Sequence, residues 1–370
     1  MDTGSDLVWV PCTRNYSCIN CPEDSASNGV FLPRMSSSLH LVTCADSNCK
    51  TLYGNNTELL CQSCAGSLKN CSETCPPYGI QYGRGSTAGL LLTETLNLPL
   101  ENGEGARAIT HFAVGCSIVS SQQPSGIAGF GRGALSMPSQ LGEHIGKDRF
   151  AYCLQSHRFD EENKKSLMVL GDKALPNNIP LNYTPFLTNS RAPPSSQYGV
   201  YYYIGLRGVS IGGKRLKQLP SKLLRFDTKG NGGTIIDSGT TFTVFSDEIF
   251  KHIAAGFASQ IGYRRAGEVE DKTGMGLCYD VTGLENIVLP EFAFHFKGGS
   301  DMVLPVANYF SYFSSFDSIC LTMISSRGLL EVDSGPAVIL GNDQQQDFYL
   351  LYDREKNRLG FTQQTCKTFR

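Results

Sequence analysis

Residues 2–5 read Asp-Thr-Gly-Ser, and residues 237–240 read Asp-Ser-Gly-Thr. Each motif is followed, later in its own half of the chain, by two apolar residues and a glycine, at 127–129 and at 339–341. Because this order occurs once in each half, it indicates that the chain consists of two related structural units.

The composition predicts two β-rich domains. A chain of 370 residues is long enough for two domains of ordinary size. Its 39 glycines, 10% aromatic residues and 18% charged residues are typical of many turns and half-buried pleated surfaces. Prolines interrupt regular structure between residues 172 and 194, so we predict a first domain over residues 1–178 and a second over residues 179–370.

The charge balance and the hydropathy pattern exclude some classes of function. The chain has 32 Lys and Arg against 34 Asp and Glu, a net charge of −2, and so lacks the positive excess typical of nucleic-acid binding. It contains no run of about 18 apolar residues, and its first residues lack the layout of a signal peptide. We expect no nucleic-acid partner and no membrane span.

The 14 cysteines favour an oxidising compartment. Two C-x-x-C pairs, at 18–21 and 61–64, would also allow a zinc site, but the six histidines show no paired ligand spacing. Four glycosylation sequons agree with disulfides and export: they begin at Asn15, Asn55, Asn70 and Asn182. We expect a protein that is secreted in its full-length form.

The two aspartate motifs suit general acid–base chemistry. In such a loop, backbone N–H groups and hydroxyls can donate to the carboxylate, and glycine permits their close approach. If Asp2 and Asp237 met in one site, the two carboxylates would hold one proton between them. One could then take a proton from water while the other protonates a substrate carbonyl, without a metal. The alternative is that both are ordinary turn aspartates.

The remaining pattern predicts mainly strands. A hairpin with a Gly-Arg-Gly tip is expected over residues 78–92, and the helices expected are few, from Ser139 onward and over 247–256. Residues 343–347, which include three glutamines, are interpreted as a solvated loop. Further strands are predicted at 200–206, 233–236 and 337–340.

These elements resemble those of the pepsin-like aspartic proteases, most closely their plant nepenthesin-type branch. The resemblance covers essentially the whole chain and implies an all-β, bilobal pepsin-like acid protease fold, with two pseudo-symmetric β lobes and an active-site cleft between them. The residues that carry it are 2–9, 82–86, 236–241, 338–342, 351–354 and 358–361.

The resemblance also implies residue roles. Asp2 and Asp237 would form the catalytic dyad, with no metal and no cofactor, acting on a peptide or protein substrate as a monomer. The residues expected to support the dyad are Thr3, Gly4, Ser5, Ser238, Gly239 and Thr240. The residues expected at the flap and the substrate are Tyr82, Gly83, Trp9 and Tyr201.

A disulfide pattern is implied in the same way. The resemblance gives the pairs Cys12–Cys18, Cys21–Cys116, Cys278–Cys320 and Cys153–Cys366. Six cysteines from Cys44 to Cys75 would form a nested set, and the sequence leaves all fifteen of its pairings open.

Two classes of function remain open. The first is an acid endopeptidase. The second is a catalytically silent two-lobed binding or inhibitor protein on the same scaffold, or an inactive product truncated at its amino terminus. Retention of both aspartates with their hydroxyl partners favours the enzyme.

A chain extended upstream is expected to be the more active form. Relatives carry strands before the first catalytic aspartate, whereas only Met1 precedes Asp2 here. An aspartate held on one side only would fray, as chain ends tend to do. Acid proteolysis by this chain and by an extended chain measures the difference, and equal activity in both would contradict the expectation.

Overall fold

The structure is a computed structural model. It describes residues 1–22, 29–64, 67–99, 105–123, 125–156, 166–177, 179–192, 196–328 and 334–366. Two compact units are present, Met1–His144 and Ile145–Arg370, and each is described by itself. Residue 178, on which the predicted domain boundary falls, lies outside the described residues, so that boundary stays a prediction.

The first unit is built from strands with a few short helices. Its described strands are β1 (Trp9–Pro11), β2 (Ser17–Ile19), β3 (His40–Leu41), β4 (Tyr78–Gln81), β5 (Ser86–Pro99) and β6 (Ala106–Ser121). Its described α-helices are α1 (Ser47–Tyr53), α2 (Thr57–Leu60) and α3 (Met137–Leu141).

Two long antiparallel strands, β5 and β6, form the frame of the first unit. The predicted hairpin is confirmed: β4 pairs antiparallel with β5, and the N–H of Tyr82 closes the turn on the carbonyl of Gly85 at 2.9 Å. On the other side, β1 runs parallel to β6 with Trp9 opposite Gly115. This pairing buries Trp9 in a core with Tyr78 and three disulfides.

The second unit is larger. Its strands are β7 (Arg149–Cys153), β8 (Leu167–Leu170), β9 (Asn182–Leu187), β10 (Tyr203–Ile204), β11 (Leu206–Ile211), β12 (Lys214–Arg215), β13 (Thr234–Ile236), β14 (Thr243–Phe245), β15 (Cys278–Asp280), β16 (Phe292–Phe296), β17 (Asp301–Leu304), β18 (Phe310–Phe313), β19 (Ser318–Leu321), β20 (Met323–Ser325), β21 (Val338–Leu340), β22 (Phe348–Asp353) and β23 (Arg358–Gln363). Its α-helices are α4 (Asp247–Ala258) and α5 (Gly267–Thr273).

Among the described residues, the largest sheet of the second unit has ten strands, in the order β20-β14-β21-β13-β10-β9-β23-β22-β7-β8. Within it β13 and β21 are parallel, with Ile236 opposite Leu340. The predicted strand over 200–206 is divided at Gly205 into β10 and β11, which belong to different sheets. The ring of Tyr352 packs on the rings of Phe150 and Tyr202, at 4.5 and 4.8 Å between centroids.

Helix α4 has the apolar face that its sequence predicts. Ile249, Phe250, Ile253 and Phe257 are buried, and the Phe257 ring stacks on Phe292 at 5.8 Å between centroids. The helix predicted from Ser139 onward begins two residues earlier as α3, because Pro138 in its first turn already has a helical φ. No described helix has both the length and the apolar character needed to cross a bilayer.

Seven disulfides join all 14 cysteines, which all lie among the described residues. The predicted pairs Cys153–Cys366 and Cys278–Cys320 are confirmed. The nested set resolves into Cys44–Cys61, Cys49–Cys75 and Cys64–Cys71.

The predicted pairs Cys12–Cys18 and Cys21–Cys116 are wrong. The structure instead joins Cys12 to Cys116 and Cys18 to Cys21. Parallel pairing of β1 with β6 is the reason: Val10 lies opposite Cys116, and the N–H of Cys12 donates to the carbonyl of Ser117. Strand β2 pairs further along β6, which places Cys18 opposite Ser120 and away from Cys12.

Removing the Cys12–Cys116 disulfide is expected to destabilise the protein strongly. This bond closes a separation of 104 residues, so the double variant Cys12→Ser/Cys116→Ser should lose about 2–5 kcal/mol of unfolding free energy in urea titration. Cys18→Ser/Cys21→Ser is the control, since its bond spans a separation of only 3 residues and constrains the unfolded chain far less. Recovery of a Cys12–Cys18 peptide from a non-reducing digest would contradict the assignment.

Candidate active site

The first aspartate loop lies in the first unit and binds its own carboxylate. The N–H of Gly4 donates to Asp2 Oδ1 at 2.9 Å, and the hydroxyl of Ser5 donates to Asp2 Oδ2. The N–H of Asp2 donates to the carbonyl of Ala128, and its carbonyl accepts from Phe130 at 2.7 Å. The main chain of Asp2 is thus paired with residues 128–130, while the expected fraying of this loop stays a prediction.

The second aspartate loop has the same bonds. Gly239 N–H donates to Asp237 Oδ1 at 2.8 Å, and Thr240 Oγ1 donates to Asp237 Oδ2 at 2.6 Å. The N–H of Asp237 donates to the carbonyl of Leu340 at 3.0 Å. Asp237 follows β13 directly and is 8% exposed. Each predicted aspartate is thus joined to its predicted hydroxyl partner.

Each apolar-glycine element noted in the sequence supports one loop. Ala128 and Leu340, which accept the aspartate N–H groups, each precede a glycine. A Cβ at Gly129 would lie 2.2 Å from the carbonyl oxygen of Asp6, and a Cβ at Gly341 would lie 2.5 Å from the carbonyl carbon of Phe242. Only glycine lets these backbones approach so closely.

The loops differ in what holds the aspartate carbonyl. In the first loop a backbone group, the N–H of Phe130, donates to Asp2. In the second loop a side chain does so: Gln345 Nε2 donates to the carbonyls of Asp237 at 3.1 Å and Leu340 at 2.8 Å. Gln345 is fully buried. Its amide therefore takes the place of a backbone donor.

The interpretation of residues 343–347 as a solvated loop is wrong. Gln344 and Gln345 are fully buried and Gln346 is 3% exposed. Gln344 Oε1 accepts from the N–H of Thr243, while its Nε2 donates to the carbonyls of Asn308 and Thr322. The position of these glutamines, directly after the second apolar-glycine element and before a buried strand, is the sequence signal that could have identified them.

A pair of tyrosines continues the network behind Gln345. Tyr152 Oη donates to Gln345 Oε1 at 2.5 Å and lies 2.9 Å from Tyr352 Oη. Burial raises the pKa of Tyr152 well above its usual value, and the charge of Asp237 raises it further. The hydroxyl therefore keeps its proton and stays a donor to Gln345.

Tyr82, for which the resemblance implied a flap position, is held by the tryptophan that the resemblance implied beside it. Trp9 Nε1 donates to Tyr82 Oη at 2.9 Å, and Trp9 is 1% exposed. Burial raises the pKa of Tyr82 above its usual value. The hydrogen bond from Trp9 lowers this pKa in part, and the negative charge of Asp2 raises it. Asp2, Trp9 and Tyr82 are thus neighbours within this unit.

The other predicted residues have different surroundings. Gly83 is exposed at the hairpin tip, Thr3 is fully buried and Ser238 is 8% exposed. Tyr201 is half-buried and its ring lies 6.1 Å from that of Tyr203. The carbonyl of the next residue, Tyr202, accepts the N–H of Ile236, which directly precedes Asp237. Tyr201 is thus adjacent in sequence to the residue that bonds the end of β13.

The cysteine clusters do not support the zinc alternative. Sulfur atoms of Cys44, Cys64 and Cys71 gather near the carboxylate of Glu73. Each of these cysteines, like those of both C-x-x-C pairs, is already bonded to another cysteine. A disulfide sulfur is not the thiolate that zinc binds.

Solved structures of similar fold span nearly the whole chain. The crystal structure of the protein edgp has a TM-score of 0.69 at 21% identity, covering 99% of this chain and 87% of its own. Soybean basic 7S globulin has a TM-score of 0.68 at 19% identity, covering 98% and 88%. The predicted bilobal, pepsin-like fold, mostly β, is confirmed.

Family models and named relatives identify the chain. The model described as xylanase inhibitor N-terminal matches residues 1–172, and the one described as xylanase inhibitor C-terminal matches residues 201–363. A probable aspartyl protease of Arabidopsis thaliana is 32% identical over 415 residues, which cover 99% of this chain and 79% of that protein. Nepenthesin-1 of Nepenthes gracilis is 33% identical over 373 residues, covering 99% and 74%. The chain therefore belongs to the plant family of atypical, nepenthesin-type aspartic proteases.

Proposed function

We propose that this protein is an aspartic-type endopeptidase that hydrolyses peptide bonds at acid pH, with Asp2 and Asp237 as its catalytic pair. The observation that carries the proposal is the equivalence of the two loops. In each, one carboxylate oxygen accepts a backbone N–H and the other accepts a hydroxyl. The two loops also share a bond that an ordinary turn does not require, because the N–H of each aspartate donates to the residue before a distant glycine, Ala128 or Leu340.

The proposed chemistry is general acid–base catalysis. One aspartate, ionised, takes a proton from water, and the other, protonated, gives its proton to the carbonyl oxygen of the scissile bond. Both oxygens of each carboxylate are already held by donors of the same loop. Little reorganisation is then needed as charge moves during the reaction. No metal or cofactor enters this scheme.

The substrate would be an extended peptide beneath the flap. Residues Tyr82 and Gly83 lie at the turn of the β4–β5 hairpin, and Trp9 orients the tyrosine hydroxyl. Such a peptide would add backbone hydrogen bonds to the hairpin, and half-buried rings such as Tyr201 would contact its side chains. The protein would act on it as a monomer.

We also propose that the full-length protein is exported. All 14 cysteines are in disulfides, which form and persist in oxidising compartments. The four sequon asparagines, Asn15, Asn55, Asn70 and Asn182, are exposed, as glycosylation requires. The cell wall or the vacuole would satisfy both requirements.

A silent binding protein is the second candidate. It is favoured by the xylanase-inhibitor descriptions of both matching family models and by the globulin among the solved structures. A binding protein has no physical need for two carboxylates that each keep a full set of donors. The endopeptidase is therefore the stronger proposal.

Replacing either aspartate by asparagine is expected to abolish most activity. Asp237→Asn keeps the shape of the side chain but removes the acid, so cleavage of a denatured protein at about pH 4 should fall by about 10²–10⁴-fold. The activity of Asp2→Asn should be as low as that of Asp237→Asn. The activity of the double variant should be only slightly lower, because the two groups act as a unit.

The control for these variants is Asp271→Asn, which removes an exposed carboxylate of α5 and should leave activity unchanged.

The activity of the wild-type protein should decline at both ends of the pH range, since the reaction needs one acid protonated and the other ionised. If Asp237→Asn retained pepstatin-sensitive cleavage, the assignment of Asp2 and Asp237 as the catalytic pair would be contradicted. If neither this chain nor an upstream-extended chain cleaves, the silent binding protein is the correct candidate.

Gln345 is expected to act as a positioning residue. Gln345→Leu would take this donor from the carbonyl of Asp237 and the acceptor from Tyr152 Oη, while Leu340 keeps the N–H of Asp237, so the unfolding free energy should fall by about 1–3 kcal/mol. In protein that remains folded, kcat should fall while KM changes little, because the carboxylate is displaced and not the substrate. Gln345→Glu keeps the shape but loses the Nε2 donor and should reproduce the kcat loss.

Gln363→Leu provides the matched control, because Gln363 is an exposed glutamine of β23. It should leave both stability and kcat at wild-type values. A folded Gln345→Glu protein with wild-type kcat would show that the amide does not position Asp237.

A further inference from the structure

The net charge of −2 conceals a strongly basic segment in the second unit. Residues 207–225 contain six cationic side chains and no acidic one. All six are exposed: Arg207, Lys214, Arg215, Lys217, Lys222 and Arg225. A cluster of one sign creates a local positive field even though the whole chain is nearly neutral.

Part of this segment forms one wall of a pocket of about 300 Å³. Arg215, Leu216, Lys217 and Gln218, from β12 and the residues after it, line one side. The other side is the α4 face, with the residues His252, Ala255 and Gly256. Among the described residues that line this pocket, none is acidic.

The pocket results from close packing of α4 on the β11–β12 hairpin. In that hairpin Ser210 lies opposite Arg215, and the N–H of Leu216 donates to the carbonyl of Val209. A Cβ at Gly256 would lie 2.8 Å from Ile211 Cδ1 and 3.0 Å from a methyl carbon of Leu216. The absent side chain thus lets α4 reach the hairpin, and brings His252 alongside the basic segment.

The cations of the pocket are available to an anion. Arg215 Nη2 donates to the carbonyl of Arg207 at 3.2 Å, which orients the guanidinium along the hairpin. A guanidinium has further N–H donors, and neither Arg215 nor Lys217 forms an ion pair with the residues that the structure describes. The acids on the same helix are Asp247, which pairs with Lys251 at 2.7 Å, and Glu248, one turn before His252.

We propose that this pocket binds an acidic oligosaccharide that carries a carboxylate on its sugar rings. Arg215 and Lys217 would form charge-assisted hydrogen bonds with the carboxylates. The apolar surface of Leu216, Ala255 and Gly256 would contact the C–H face of a ring. A pocket of this volume is at the small end of ligand sites, which suits a short stretch of sugar.

Other polyanions fit the pocket less well. A single-stranded nucleic acid is typically bound by several aromatic side chains on which successive bases stack, and among the residues that line this pocket only His252 carries a ring. A membrane surface needs large apolar side chains beside the cations, and no residue from 207 to 225 is among the exposed large hydrophobics. The lining, with cations over a small apolar floor, favours a carboxylated sugar.

The test is titration calorimetry of the full chain with an oligogalacturonate at low salt. The variant Arg215→Gln/Lys217→Gln should bind about tenfold more weakly, because two exposed charge contacts are lost. The double variant Lys229→Gln/Lys272→Gln removes the same charge from exposed positions outside the pocket and should bind like wild type. Binding does not involve Asp2 or Asp237, so Asp237→Asn should bind like wild type whether or not the protein is a peptidase.

Three results would overturn the proposal. An uncharged oligogalactan that binds as tightly as the oligogalacturonate would exclude carboxylate recognition. If the two double variants lost the same amount of binding affinity, the effect would come from net charge and not from the pocket. A single-stranded oligonucleotide of equal charge that binds more tightly would assign the pocket to nucleic acid instead.

Discussion

Each aspartate loop depends on one backbone hydrogen bond, from the N–H of the aspartate to the carbonyl of the residue before a glycine. Ala128 accepts this bond from Asp2, and Leu340 accepts it from Asp237. The acceptor lies far along the chain, so the bond exists only when the surrounding strands have formed. Once it is made, the following glycine N–H and hydroxyl reach the carboxylate from within the same loop.

The main-chain carbonyl of the aspartate receives its hydrogen bond from a different kind of donor in each loop. A peptide carbonyl removed from water must find a donor, since leaving it unpaired costs free energy. Asp2 receives a backbone N–H, whereas Asp237 receives the side-chain amide of Gln345. The second solution places a polar side chain deep in the unit, and Tyr152 then satisfies its carbonyl oxygen. The Asp237 loop is thereby linked to β7 and, through Tyr352, to β22.

The positive charge of the second unit is concentrated in one segment of the chain. The cationic residues of 207–225 are exposed on one segment, while the chain as a whole is slightly anionic. Net charge therefore excludes a protein that is basic throughout, but it gives no information on local fields. The close approach of α4 to the β11–β12 hairpin turns this basic segment into a pocket.

The sequence by itself determined what repetition and short-range pattern encode. The duplicated aspartate motifs, their hydroxyl partners, the β4–β5 hairpin and the buried face of α4 were all predicted, because each is a property of neighbouring residues. Two long-range disulfides followed from the resemblance. The partner of Cys12, the hydrogen-bond partners of Gln345 and the basic pocket were decided only by tertiary structure. Cys12 meets Cys116 across a separation of 104 residues, and such meetings are set by strand register and helix packing, which no local pattern specifies.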